Sequence, residues 1–351
     1  MEMDFVPTLE HLALVKVAII TYYSPEITDI KEKFKKGIGS MDSREWKPLL
    51  LEKLKNSVLP HILHEKLLGV LQPISLEIES WTEDMLYCGI HKPLDICWKS
   101  FGTIDRLETA KRFVQSEDSN VIQRFAMACH FWMSDDVLKI WKEATVYERI
   151  HIEMTLMQEK KESISNETGE RKPKRFKTNR VGDFLMKWFD WLHKGGDPNE
   201  RHLFLDESLF WYDHVPPESS LIQELPINKL HSLMQQKYYN TNYGRMYFLC
   251  MNDVQKMFYF QKEPLIVLKH FLDWPLQFKF LEIAEQCWIH MTECEFFRIL
   301  LHITEQKISR FCSDFNYVRL LQEFWNQSPE HFKEYAKERR HFFWIKDYIV
   351  V

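Results

Sequence analysis

Apolar residues recur along most of the chain at helical spacing. Ile122, Phe125, Ala126 and Cys129 follow the i, i+3, i+4, i+7 pattern of a single helix face. Two further stripes have the same kind of spacing: Phe296, Phe297, Leu300 and Leu301, and then Ile308, Phe311, Cys312 and Phe315. No run alternates polar and apolar residues for long enough to require a sheet. The pattern therefore predicts an all-α protein of about twenty short helices.

Proline and small polar residues mark the predicted helix starts. Proline suits the first helical turn, because its missing N–H would have no intrahelical partner there. Ser24 and Ser328 are predicted N-caps, and Thr292 with Glu295 has capping-box spacing. The β-branched run at 15–20 would also suit a strand, but the apolar residues before it favour a helix. The prolines that precede apolar periodic stretches are Pro25, Pro60, Pro73, Pro93, Pro264, Pro275 and Pro329.

Composition narrows the fold class further. The chain has 351 residues but only 10 glycines, where average usage would give roughly 25. Gly-rich β-sandwiches and barrels and the Gly-dependent phosphate loops of nucleotide-binding folds are therefore disfavoured. Short helices with short links favour an array of antiparallel helices, either a divergent α-solenoid-like array or two packed helical domains.

One polar stretch suggests the domain boundary. Residues 162–180 are nearly free of apolar side chains, which predicts a linker or an exposed loop. The expected organisation is an N-terminal helical domain over 1–161, this segment, and a C-terminal helical domain over 181–351.

Charge and cysteine usage indicate the compartment. The net charge of −5 argues against a generally phosphate-binding surface. The seven cysteines are odd in number and scattered, which favours free thiols in a reducing compartment over a disulfide framework. The start of the chain lacks a basic signal-peptide pattern, and Lys16 interrupts the apolar run at 12–20, which is too short to cross a bilayer. We expect an intracellular protein without a membrane partner, in the cytoplasm, with the nucleus as the alternative.

The most specific motif in the sequence is a cluster of lysine and arginine residues between 160 and 177. It resembles a two-part nuclear-localisation pattern and would also suit anion or nucleic-acid binding. The simpler interpretation is a solvated loop that its charge keeps soluble. Its candidate residues are Lys160, Lys161, Arg171, Lys172, Lys174, Arg175 and Lys177.

Candidate metal ligands lack a complete set. Two Glu-x-x-His pairs match the spacing of di-iron bundles, but one lies among cations and they are far apart in a chain of short helices. Thr292 should bend the chain between His290 and Cys294, and no fourth ligand is apparent. We therefore expect neither a metal nor another cofactor. The residues considered are Glu148 with His151, Glu338 with His341, Cys287 with His290 and Cys294, and His61 with His64.

Catalytic signatures are also missing, since the chain has no nucleophile elbow, Walker A motif, dinucleotide fingerprint or HExxH motif. The dense aromatic residues suit either a helical core or a peptide-binding groove. Those considered for a groove are Phe184, Trp188, Phe189, Trp191 and the run at 210–212.

Several segments resemble an uncharacterised all-helical family multiplied in spider genomes. They are FVPTLEHLALVKVA at 5–18, LLGVLQPISLE at 67–77, IDRLETAKRF at 104–113, RFAMAC at 124–129 and DVLKIW at 136–141. The resemblance covers mainly residues 5–144. It implies an all-helical fold and, because no activity is assigned to that family, no catalytic residue.

These observations lead to one main expectation and two alternatives. The main expectation is a non-enzymatic helical scaffold that binds another protein. The first alternative is a nuclear or nucleic-acid-associated factor that uses the basic segment at 160–180. The second is a helical enzyme whose active site is assembled by the fold.

Overall fold

The structure is a computed structural model that describes residues 8–55, 59–86, 88–91, 94–165, 179–197, 221–237 and 241–349. The predicted all-α class is confirmed in these ranges. Extended pairing in them is confined to an isolated bridge between Trp98 and Ile104.

The helices vary more in length than the sequence predicted. The longest, α4, has 23 residues, and α8 has 20. The α-helices are α1 (Leu9–Tyr22), α2 (Pro25–Phe34), α3 (Ser43–Leu54), α4 (His64–Leu86), α5 (Arg106–Gln115), α6 (Val121–His130), α7 (Ser134–Glu143), α8 (Val146–Ser165), α9 (Asn179–His193), α10 (Leu221–Glu224), α11 (Ile227–Lys237), α12 (Thr241–Cys250), α13 (Asp253–Lys262), α14 (Pro264–Phe271), α15 (Phe280–Cys287), α16 (Glu293–His302), α17 (Tyr317–Gln327), α18 (Glu330–Lys337) and α19 (Phe343–Ile349).

The chain forms two compact units that do not follow the predicted domain order. Unit 1 comprises Met1–Ser80, Trp98–Ile104 and Met251–Val351, and unit 2 comprises Trp81–Cys97 and Asp105–Cys250. The predicted boundary at 162–180 thus falls inside the span of unit 2. Two edges of that segment are helical, since α8 continues to Ser165 and α9 begins at Asn179.

Unit 1 contains residues from both the N-terminal and the C-terminal part of the sequence, and for this reason the units differ from the predicted domains. A Cβ atom on Gly69 in α4 would lie 2.2 Å from the carbonyl oxygen of Ser313, so the helix and that segment are in close backbone contact. Lys47 of α3 donates a hydrogen bond to the Ser313 hydroxyl. The ring of His11 stacks on Trp274 with centroids 4.9 Å apart. Contacts of this range cannot be read from local patterns.

Unit 2 is built around buried aromatic rings. Phe125 and Phe189 stack with centroids 5.6 Å apart, and Trp132 and Trp188 lie 5.4 Å apart. The fully buried guanidinium of Arg106 pairs with the Asp84 carboxylate. It also lies 5.7 Å from the centroid of the Trp81 ring.

Local start signals place several helix ends correctly. The Thr292 capping box with Glu295 is confirmed at the start of α16. Pro25 and Pro264 occupy the first turns of α2 and α14, as predicted. Pro60, Pro275 and Pro329 stand directly before helical turns, whereas Pro93 lies outside the described residues.

Two start predictions were wrong. Pro73 lies inside α4 instead of beginning a helix. An internal proline costs a helix about 3 kcal/mol, and the fully buried neighbours Leu71 and Ile74 offset this cost by packing. Ser328 ends α17, and the N-cap of α18 is Pro329.

The stripe predicted at 308–315 is also not a continuous helix. After α16 the backbone forms a π-helical segment, Ile303–Ile308, and then leaves the helix. Phe311 adopts a left-handed conformation with φ 55° and is 59% exposed. Its amide donates to the Ile308 carbonyl, and the Cys312 amide donates to the Lys307 carbonyl. Apolar spacing therefore mimicked a helix where the chain turns.

The glycine shortage has a structural consequence at such turns. Left-handed positions favour glycine because a Cβ atom crowds the backbone there. In the described ranges Lys35, Trp132 and Phe311 occupy left-handed positions that glycine usually fills. Lys35 ends α2 and is exposed.

We expect Lys35→Gly to raise the free energy of unfolding by about 0.5–1 kcal/mol, since it relieves this left-handed cost. Chemical denaturation would measure the change. Lys36→Gly is the matched control, because Lys36 does not have a positive φ. This substitution should only increase the conformational freedom of the unfolded chain and so lower the free energy of unfolding. Equal destabilisation by both substitutions would contradict the prediction.

Candidate functional site

The structure separates the residues considered as metal ligands. Cys287 is buried in α15, whereas Cys294 is exposed in α16, beyond the predicted break at Thr292. His64 uses Nε2 to contact the Leu59 carbonyl oxygen at 2.9 Å, and the His61 ring packs against the His64 ring. In the described ranges, no group of three or more His, Cys, Asp and Glu side chains is arranged to hold a metal ion.

The two Glu-x-x-His pairs have different surroundings. Glu148 forms a capping box at the start of α8, where its Oε2 accepts from the Thr145 amide at 2.7 Å. The hydrogen bonds that this carboxylate accepts from the Thr145 amide and the Thr145 hydroxyl lower the pKa of the Glu148 carboxyl. His151 stacks on Tyr147 with centroids 6.2 Å apart. Glu338 and His341 are exposed near the end of unit 1.

Of the two interpretations of the dense aromatic residues, the helical core holds for those that the structure describes, and the groove does not. Trp188, Phe189 and Trp191 are at most 3% exposed and belong to the core of unit 2. The Phe184 side chain and the run at 210–212 lie outside the described part.

The basic segment is mostly outside the described residues. Lys160 and Lys161 lie on the backbone of α8, but their side chains are not described. The remaining predicted residues, Arg171, Lys172, Lys174, Arg175 and Lys177, fall in the gap between α8 and α9. Its proposed role in localisation or anion binding therefore stays a prediction.

The fold assembles one buried ionic cluster that no sequence motif signalled. It lies in unit 1, where α14, the π-helical segment and α17 meet. Lys307 Nζ donates to Asp273 Oδ1 at 2.8 Å. Gln277 Nε2 donates to Asp314 Oδ2 at 2.6 Å, and the Tyr317 hydroxyl lies 3.0 Å from the same oxygen. We call Asp273, Gln277, Lys307, Asp314 and Tyr317 the ionic cluster.

Opposing electrostatic effects act within the ionic cluster. Burial alone would lower the pKa of Lys307, but the neighbouring carboxylates of Asp273 and Asp314 raise it overall. Burial raises the pKa of Asp314 above its usual value, although Lys307 and Tyr317 counteract part of that shift. The cation is thus retained because buried carboxylates face it.

His302 borders the ionic cluster, and its pKa is shifted in the direction opposite to that of Lys307. Burial and the nearby cations Lys269 and Lys307 lower its pKa to about 4, although Asp273 opposes the shift. Its imidazole is therefore neutral near pH 7.

The side chains of Lys307 and Asp273 are only 14% and 11% exposed. This burial suits a tie between helices better than contact with a substrate.

A different kind of feature lies on the surface of unit 2. Val146, Tyr147, Ile150 and Met154 on α8 are 72%, 77%, 50% and 53% exposed. At about 100° per residue, these positions span an arc of roughly 100° on the helix. Ile152 and Leu156, which are buried, lie on the opposite side. We call the exposed residues the α8 apolar face.

The polar side chains along α8 pair with groups other than the residues of the α8 apolar face. Glu148 is held by its capping box, and Arg149 donates to the Lys142 carbonyl at 3.2 Å. Glu153 Oε1 lies 2.9 Å from His193 Nε2. Sequence reasoning missed this face, although apolar residues on both sides of one helix were a readable signal.

Comparison with known proteins gives no match to a family model, a curated protein or a solved structure. The resemblance to the spider-genome family stays a prediction. Among the described residues, no helix is both long and apolar enough to span a membrane.

We expect acid to destabilise unit 1 through His302. Because its folded pKa of about 4 is below the ordinary histidine value of 6.5, the unfolded chain binds more protons than the folded chain as the pH falls between these values. Stability from this group is present above pH 6.5 and is lost toward pH 4. His302→Gln should flatten that dependence in denaturation measured across this range.

The matched control is His331→Gln, at an exposed histidine of the same unit. It should keep the wild-type slope of unfolding free energy against pH. An unchanged slope in His302→Gln would contradict the assignment.

Proposed function

We propose that this protein is a helical scaffold that binds another protein through the α8 apolar face. The observation that carries the proposal is the concentration of four exposed apolar side chains on one arc of α8. Single exposed apolar residues are normal on protein surfaces, whereas contiguous ones often mark interaction sites.

The physical chemistry of these side chains supports a protein partner. Burying a residue such as Val, Ile or Met releases about 1.5–3 kcal/mol relative to exposure. Tyrosine and methionine are enriched at interfaces, and Tyr147 combines a large apolar ring with a polar hydroxyl. The α8 backbone is a continuous helix whose opposite side is anchored by Ile152 and Leu156, so the face is presented on a rigid element.

The spacing also favours a helical partner segment. Tyr147, Ile150 and Met154 stand at i, i+3 and i+7, which is the spacing of a seam between two packed helices. A partner helix with its own apolar stripe would fit this seam.

The two alternative functions stay predictions. The nuclear or nucleic-acid role depends on residues 160–180, whose side chains are outside the described part. For the enzyme role, the ionic cluster is a poor candidate site, because the burial of Lys307 and Asp273 disfavours contact with a substrate.

The test is affinity capture with the full chain, followed by quantitative mass spectrometry. The double variant Tyr147→Ser with Ile150→Ser removes two central apolar contacts of the α8 apolar face. We expect the recovery of bound partners to fall at least about tenfold, because truncating interface anchors commonly costs more than 1 kcal/mol each. Circular dichroism should show unchanged helix content.

The matched control is Val254→Ser with Met257→Ser. These residues are 70% and 56% exposed on α13, in the other unit. The control should retain the wild-type partners. The proposal fails if the α8 variant captures the same proteins in the same amounts as wild type.

A further inference from the structure

A half-buried lysine lies at the contact between α1 and α2 in unit 1. Ile27 and Ile30 anchor α2, since they are 0% and 3% exposed. Lys31 is the i+4 neighbour of Ile27, so it lies at the edge of that buried face. Its Nζ lies 3.3 Å from the centroid of the Tyr22 ring, which is itself buried in α1.

The ammonium group of Lys31 lacks a hydrogen-bond acceptor. In the described ranges it makes no hydrogen bond and no ion pair, and the Tyr22 ring is its contact. The carboxylate that acts on it electrostatically is Glu79 of α4. That carboxylate is held elsewhere: its Oε1 accepts from the Gly39 amide at 2.9 Å, and its Oε2 accepts from the Ser40 hydroxyl at 2.8 Å. We call Tyr22, Lys31 and Glu79 the Lys31 cluster.

Two effects of this geometry on the charge of Lys31 oppose each other. The face of the Tyr22 ring favours the ammonium form. Burial without an acceptor disfavours it, because the hydration that the group loses is not replaced. Burial lowers the pKa of Lys31 to about 8, although the Glu79 carboxylate opposes the shift. A neutral amine that stays partly open to solvent is a nucleophile.

The surroundings of Lys31 also distinguish between kinds of amine modification. Methylation keeps the positive charge of a lysine, and so does formation of a protonated imine, whereas acylation removes it. The Lys31 cluster has no acceptor to satisfy a retained charge. A neutral amide product therefore suits this half-buried position better than a charged one.

We propose that Lys31 is a modification site that accepts an acyl group from a small acyl thioester. The amine nitrogen attacks the thioester carbonyl carbon, so that a C–N bond forms and the C–S bond breaks. The thiolate leaves, and it takes up the proton that the nitrogen loses. The product is a neutral amide and a free thiol. The site lies in unit 1 and does not depend on the α8 apolar face.

The test exposes the full chain to a small acetyl thioester, S-acetyl-N-acetylcysteamine, and follows each lysine by peptide mass spectrometry. The matched internal control is Lys33, which is exposed on the same helix and lies 5.5 Å from the Phe34 ring centroid. With a pKa of about 8, the amine fraction of Lys31 near pH 7.5 is about a hundredfold that of a lysine in water. A less basic amine is a weaker nucleophile, so we expect Lys31 to react at least about tenfold faster than Lys33.

The pH profile gives a second readout on the unmodified sequence. The rate at Lys31 should level off above about pH 8, where its amine is fully deprotonated. For a lysine in water the rate keeps rising to about pH 10. Because both measurements use wild type, they do not depend on whether a variant folds.

A variant then tests the surroundings of Lys31. Glu79→Gln removes the charge that opposes the pKa shift, while its amide can still bond Gly39 and Ser40. The acetylation rate of Lys31 near pH 6.5 should rise about two- to threefold. The matched control is Glu52→Gln, at an exposed glutamate of α3 that does not act on Lys31. It should react like wild type.

Three results would overturn the proposal. One is acetylation of Lys31 no faster than that of Lys33 near pH 7.5. Another is a Lys31 rate that keeps rising to about pH 10. The third is a Lys31 rate in folded Glu79→Gln that is equal to or below that of wild type.

Discussion

The C-terminal part of unit 1 converges on one buried cation, the ammonium group of Lys307. Its carboxylate partner Asp273 follows α14, while Asp314 and Tyr317 lie at the approach to α17. A buried charge without partners is very costly, so these elements must keep their arrangement for Lys307 to stay charged. The α16 helix leads into the π-helical segment that carries Lys307. Helix-to-helix geometry here is thus constrained by charge pairing as well as by apolar packing.

The helices of unit 2 are held mainly by the burial of apolar side chains. Short helices gain little stability alone and depend on burying one face against neighbours. In unit 2 that burial is aromatic, with Phe125, Trp188 and Phe189 in the core. The α8 helix is an exception, because the side that faces solvent is apolar as well as the side that faces the core. The exception is the basis for proposing a binding role.

Local physical chemistry explains what could be predicted from the sequence. The helix class and the Thr292 capping box depend on residues a few positions apart, so the pattern indicated them correctly. Pro73 was wrongly predicted as a helix start because the packing of its buried neighbours outweighs the local preference. The stripe at 308–315 was wrongly predicted as a helix because its apolar spacing continues through a turn, where Phe311 has φ 55°.

Long-range features were not predictable in the same way. Gly69 meets Ser313 and Lys307 meets Asp273 only after folding, so neither the two units nor the ionic cluster has a local signal. The burial of individual aromatic side chains was not fixed by local pattern either, although a core position was the favoured interpretation for Trp188 and is what the structure shows. The α8 apolar face was the readable exception.

The most direct test of the central role of Lys307 is a double-mutant cycle of unfolding free energy with Lys307→Met, Asp273→Asn and both together. We expect Lys307→Met alone to lower the free energy of unfolding by about 3–5 kcal/mol, because it leaves a buried carboxylate without its cation. The double variant should lose less than the two single losses combined, by about 0.5–3 kcal/mol. Additive losses would show that the two side chains are not coupled and would contradict a central role for Lys307.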